Sequence, residues 1–110
     1  VKNKEQQKEN GIMQKQSEME NSMLMAHREF VTNLDKTLDM LDHDISEAAE
    51  MTDICTDEWC LSTEGVVDEL AKVVYSISEP RWLTNEDSKK ISQLRHRVHG
   101  LYAHYKSIRA

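Results

Sequence analysis

An all-α fold, an antiparallel three-helix bundle running up-down-up behind a flexible N-terminal arm, is predicted by three features of the sequence. Ile91, Leu94, Val98, Leu101, Tyr105 and Ile108 alternate at three and four residues, a heptad stripe that must be buried against partner helices. Two further apolar stripes of helical spacing precede it. Only 5% of residues are aromatic and there are three glycines and one proline, so the turn-dense composition of an all-β chain is missing.

The first 17 or so residues are polar, without a sustained stripe, and Gly11 interrupts any helix that Lys, Glu and Gln would favour. Residues 1–18 are therefore expected as a flexible or frayed arm, and residues 19–110 as a single helical domain. From Met23 the apolar positions recur as Met23, Phe30, Leu34, Leu38, Leu41, Ile45 and Ala48, with Val31 and Ala49 widening the face. Opposite them lie Asp35, Asp39, Asp42, Glu47 and Glu50, a solvated face. His27 falls on the apolar side as a satisfied boundary histidine, and His43 stands four residues from both Asp39 and Glu47.

A boundary lies between Met51 and Thr56, where Thr56 followed by Asp57 and Glu58 suits a helix N-terminus. The second stripe runs through Cys60, Val67, Leu70, Val74 and Ile77, flanked by Val66 and Val73, a face broad enough for two neighbours. Glu79-Pro80 is expected to end that helix, because proline disfavours helical geometry in the residue before it. Thr84-Asn85-Glu86-Asp87 then reads as the capping signature of the closing helix. Trp59 and Trp82 fall near opposite ends of the second helix and are expected to cover the two ends of the core.

Charge is divided along the chain. Residues 1–17 hold four Lys and two Glu, a net of +2; residues 18–79 hold sixteen acids and three bases, a net of −13; residues 80–110 hold seven bases and two acids, a net of +5. The acidic first half and basic last helix are complementary within one domain. That complementarity also argues against a phosphate backbone as the target of Lys89, Lys90, Arg95, Arg97, Lys106 and Arg109 with Tyr102 and Tyr105, so a basic-helix nucleic-acid binder ranks third among the functional readings. No apolar run approaches the roughly 18 residues of a membrane span, and the start has no apolar core like that of a signal peptide. A soluble, cytoplasmic chain with no membrane partner is expected.

Cys55 and Cys60 do not have the spacing of a C-x-x-C motif. With Thr56 as N-cap they occupy the two positions of a hydrophobic staple, which leaves a buried thiol pair and a disulfide both open. The neighbouring Asp53, Asp57 and Glu58 raise a thiol pKa and argue against a nucleophile. Zinc would need His96 and His99 beside the thiols, yet both fall outside the closing stripe, and no Glu-x-x-His occurs to bind two irons. No metal and no cofactor are expected.

The run Arg95-His96-Arg97-Val98-His99-Gly100 resembles the phosphoacceptor stretch of histidine phosphotransfer domains, a solvent-facing His followed two on by an aliphatic residue and four on by Gly. The resemblance implies a relay function with His96 as phosphoacceptor, supported by Arg95, Arg97, His99 and Gly100. In this chain His99 stands where the family has lysine, and Leu101 and Tyr102 where small residues follow. With no Gly-rich phosphate loop and no Gly-x-Ser-x-Gly elbow, an enzyme is not expected. The leading expectation is a small non-enzymatic interaction module that binds a partner protein or pairs with itself as a homodimer. Met13, Met19, Met23, Leu24 and Met25 begin the first helix before the other two can cover it, and Met19, Met23 and Leu24 are the expected partner-binding residues.

Overall fold

The computed structural model describes residues 2–50 and 57–109, with side chains from 11 to 50 and from 58 to 108. The described residues form three helices, α1 (Lys2–Ala49), α2 (Asp57–Tyr75) and α3 (Asn85–Arg109), with no strand among them. None of the helices is long and apolar enough to cross a membrane.

The closing stripe behaves as its spacing requires. Ile91, Leu94, Val98, Leu101 and Tyr105 are all buried, and Ile108 packs against the same cluster. α3 is the common neighbour, packed against both α1 and α2, while α1 and α2 approach each other far less. Arg28, Asp35 and Asp39, and Asp42 of α1 meet Asp87, Arg97 and His104 of α3, in that order along both helices. On the other side the buried Tyr105 hydroxyl donates to the Cys60 carbonyl at 2.8 Å, and Arg95 reaches the Ile77 carbonyl beyond the far end of α2.

α3 starts where the capping signature places it. The Thr84 carbonyl accepts the first helical bond from the Ser88 N–H at 3.1 Å. The Asp87 N–H donates to Thr84 Oγ1 at 3.3 Å, and the Thr84 N–H donates back to the Asp87 carboxylate at 3.0 Å. This is a reciprocal capping box with aspartate in the place more often held by glutamate.

From Lys2 onward the segment expected as a flexible or frayed arm is helical and continuous with α1, Gly11 being tolerated within a run of strong helix formers. Two expectations are corrected. α2 stops at Tyr75, short of Pro80. The Ser76 hydroxyl donates to the Val73 carbonyl at 2.8 Å, and the Ser76 N–H lies between the Lys72 and Val73 carbonyls at 3.0 and 3.2 Å. Ile77 therefore packs against the core from outside the helix. Finally, Met23 and Phe30 are not core residues: both are exposed, and Val31, expected only at the margin, is buried. Residues Glu20, Leu24, His27, Val31, Leu34, Leu38, Leu41, Ile45 and Ala48 are the shielded ones, alternating at four and three. A sequence reading of apolar residues alone misses this register because two of its members, Glu20 and His27, are polar.

α2 begins at Asp57. The Thr56 cap and the Met51–Thr56 boundary lie outside the described residues. Trp59 and Trp82 are both half-buried, Trp59 against the core cluster and Trp82 edge-on to His27 with ring centroids 5.9 Å apart.

A helical glycine without a steric reason is a stability reserve. A Cβ at Gly100, inside α3, would meet nothing within 4 Å. Gly100→Ala is expected to raise the unfolding free energy by about 0.5–1 kcal/mol, read as a higher urea midpoint at unchanged slope.

Candidate interaction surface

α1 is much longer than the bundle it enters. At 1.5 Å per residue its 48 residues span about 72 Å, and the molecule measures 79 × 23 × 18 Å. Among the described side chains, the contacts with the other elements that lie nearest the α1 N-terminus are at Glu20, which Arg81 approaches at 3.9 Å, and at His27 against Trp82. The α1 backbone from Lys2 to Met19 thus runs on about 27 Å past these contacts, and the side chains of residues 12–19 are exposed.

Two heptad series run along α1, offset by one residue and so about 100° apart around the helix. The inner series, from Glu20 to Ala48, faces the core. The outer series is Ile12, Gln16, Met19, Met23, Ala26, Phe30, Asn33, Thr37 and Met40, again alternating at four and three, and every member is exposed. Ile12 is 67% exposed, Met40 68% and Phe30 47%. These are large apolar side chains at coiled-coil spacing with no helix of this bundle against them. Of the expected binding residues, Met19 and Met23 belong to this outer series, while Leu24 belongs to the inner one and is half-buried.

The outer series runs into a groove. Thr37 shares an open, mostly apolar hollow with Ser62, Gly65, Val66, Glu69, Leu70 and Val73 of α2. Val66 and Val73, expected to pack on a second neighbour, are exposed, and α1 and α2 make few contacts with each other. Gly65 faces open space: a Cβ there would meet nothing within 4 Å.

The polar side chains divide differently. Arg28 grips Asp87 with two bonds, Nε to Oδ1 at 2.9 Å and a terminal nitrogen to Oδ2 at 3.2 Å. Asp87 is 5% exposed, and its carboxylate also accepts from the Thr84 hydroxyl at 2.8 Å. The Arg28 guanidinium first, then the Thr84 backbone N–H, hold this carboxyl far below the usual carboxylate range against the opposing effect of burial. Nothing in the sequence pairs residues so distant, and the capping signature was the only signal at Asp87.

The relay constellation is placed as follows. His96 is exposed on α3. Arg97 turns to Asp35 and Asp39 on α1; Arg95 turns to the Ile77 carbonyl, Glu79 and the Tyr75 ring; and His99 meets the Tyr75 hydroxyl. The three cationic or basic neighbours are thus drawn to other partners. Gly100 borders a shallow groove with Leu38, Asp42, Arg97, Leu101 and His104. Among the basic-face residues, Lys106 stands over the Tyr102 ring at 5.7 Å and Tyr105 is a core residue.

His27 differs from expectation: both ring nitrogens are buried without a hydrogen-bond partner among the described residues. His43 makes its expected contact with Glu47 at 3.1 Å. Cys60 is buried and disulfide-bonded, and Cys55 lies outside the described residues. No group of three His, Cys, Asp or Glu side chains suited to a metal ion occurs among the described residues. In comparisons with known proteins, no family model matches this chain and neither a curated protein nor a solved structure is similar to it.

Proposed function

We propose that this chain is a non-enzymatic interaction module, an up-down-up three-helix bundle whose docking face is the outer heptad series of α1 together with the groove that α1 shares with α2. The observation that carries the reading is the series from Ile12 to Met40, about 42 Å of exposed positions at the spacing that a partner helix fills, five of them the large apolar side chains Ile12, Met19, Met23, Phe30 and Met40. Up-down-up topology is supported by the contact order: partners rise together along α1 and α3, whereas Cys60 and Ile77 of the α2 region meet Tyr105 and Arg95 in falling order. Methionine suits such a face, since its flexible side chain adapts to a partner surface. Exposed apolar residues in one contiguous line mark an interaction site, where isolated ones would carry no meaning.

A relay role for His96 has its exposure in favour, but a phosphoryl group there would have to recruit guanidinium groups already engaged with carboxylates.

The test is a capture experiment. A tagged chain is compared with Met19→Glu/Met23→Glu/Phe30→Glu, in which good helix formers replace three exposed side chains, and with Met25→Glu, an exposed position outside both series. Proteins, including untagged copies of this chain, that bind wild type and Met25→Glu but are lost from the triple variant are the expected result. Identical captured sets from all three would overturn the reading.

A further inference from the structure

The outer series of α1 is symmetric about its own centre. Laid antiparallel against itself about a two-fold axis at Ala26, it sets Ile12 opposite Met40 and Met19 opposite Asn33, and brings Met23 within one residue of Phe30 and Gln16 within one residue of Thr37. Four of the five large apolar members thereby come beside one another, and the polar Gln16 comes beside the polar Thr37. The residue on the axis is alanine, small enough for two backbones to come close where they cross.

Charge selects the same arrangement. Residues 1–17 carry a net +2, while residues 35–49, the trailing part of α1, hold five acids and one lysine, a net −4. Antiparallel pairing lays the basic leading segment of each helix along the acidic trailing segment of the other. Parallel pairing would stack the two acidic segments side by side, which like-charge repulsion opposes.

The groove supplies the third element. Residues 12–19 of one helix, opposite positions 33–40 of the other, arrive at the hollow formed by Thr37 with Gly65, Val66, Leu70 and Val73. The missing side chain at Gly65 leaves room for a helix there, and Glu69 on the rim is of opposite sign to Lys15 on the arriving helix.

Resting on the docking face proposed above, we infer that its occupant is a second copy of this chain: the α1 overhang of each copy docks antiparallel about Ala26 and serves as the fourth helix of the other copy's bundle. The closed two-fold arrangement uses the same patch on both copies and leaves neither overhang uncovered.

Sedimentation equilibrium of the full chain across the micromolar range is expected to show a monomer–dimer equilibrium. Met19→Glu/Met23→Glu/Phe30→Glu should weaken it at least about tenfold, Met25→Glu should leave it unchanged, and added salt should weaken it through screening of the paired charges. A photo-crosslinking residue placed at Met19, in a mixture of isotopically light and heavy copies, is expected to capture the peptide containing Asn33 from the other copy. A monomer at every concentration overturns the inference, as does a crosslink joining Met19 to Met19, which would mark parallel pairing. If the chain is monomeric while another protein is captured in a manner dependent on the outer series, the docking face stands and only the second copy falls.

Discussion

Leu38→Ala is expected to cost about 3 kcal/mol of folding free energy, the largest effect of any single substitution considered for this chain. Leu38 is 1% exposed and belongs to the core cluster where α1 faces α3. Truncation removes buried methyl groups and leaves a hole that two rigid helices cannot close. In a small domain whose total stability is of order 5–15 kcal/mol, that loss brings the unfolding midpoint close to ordinary working conditions. The informative control is Phe30→Ala, a larger truncation at a position 47% exposed. In dilute protein it should cost less than about 1 kcal/mol. Urea unfolding of both variants at low concentration checks the pair; a Phe30 penalty equal to that of Leu38 would mean that the inner series has been misassigned.

The second large effect is on acid stability. Asp87 lies under the N-terminus of α3, held by Arg28 from α1 and by Thr84, so its carboxyl titrates far below its ordinary value in the folded chain. A depressed folded-state value means that the unfolded chain takes up the proton first as pH falls. The stabilisation is therefore complete above the ordinary aspartate value of about 3.9 and is lost progressively as pH falls from there toward the much lower folded-state value. Asp87→Ala is expected to cost about 2 kcal/mol at neutral pH, from the lost cap and the unpaired donors. The water-exposed Arg28 adds less than a sequestered partner would. The same variant should flatten the stability profile between about pH 5 and about pH 2 relative to wild type. Urea midpoints measured across that range test the assignment, and parallel profiles for the two proteins would show that Asp87 is not the group responsible.

How much of this was legible in the residues differs by helix. In α3 the core-facing positions are all apolar, so spacing alone identifies Ile91, Leu94, Val98, Leu101 and Tyr105. In α1 two heptad series lie one residue apart, and an apolar count slides between them. Met23 and Phe30 of the outer series lie as close to His27 as Leu24 and Val31 do, so the large apolar residues around it draw the stripe onto the outer line before Leu34 and Leu38 return it to the inner one. In α2 Pro80 is the visible stop signal, yet the helix ends at Tyr75. Ser76, a hydroxyl able to satisfy the Val73 carbonyl, stops the helix earlier than Pro80. The charge asymmetry between the halves was legible as complementarity, and Arg97 with Asp35 and Asp39 realises it. The pairing of Arg28 with Asp87 was not, because a cap signature is local and its partner lies on another helix. Of the expected binding residues, Met19 and Met23 fall on the exposed line, and the rest of that line became visible only once the covered face of α1 was known.

The arrangement in which α3 touches both other helices while they scarcely touch each other sets the order of events during synthesis. Neither α1 nor α2 has a surface to settle on until α3 has cleared the ribosome. Both emerge with their oily sides bare, and a long rod with two such sides is the segment that a passing chaperone or a nascent sister chain meets first.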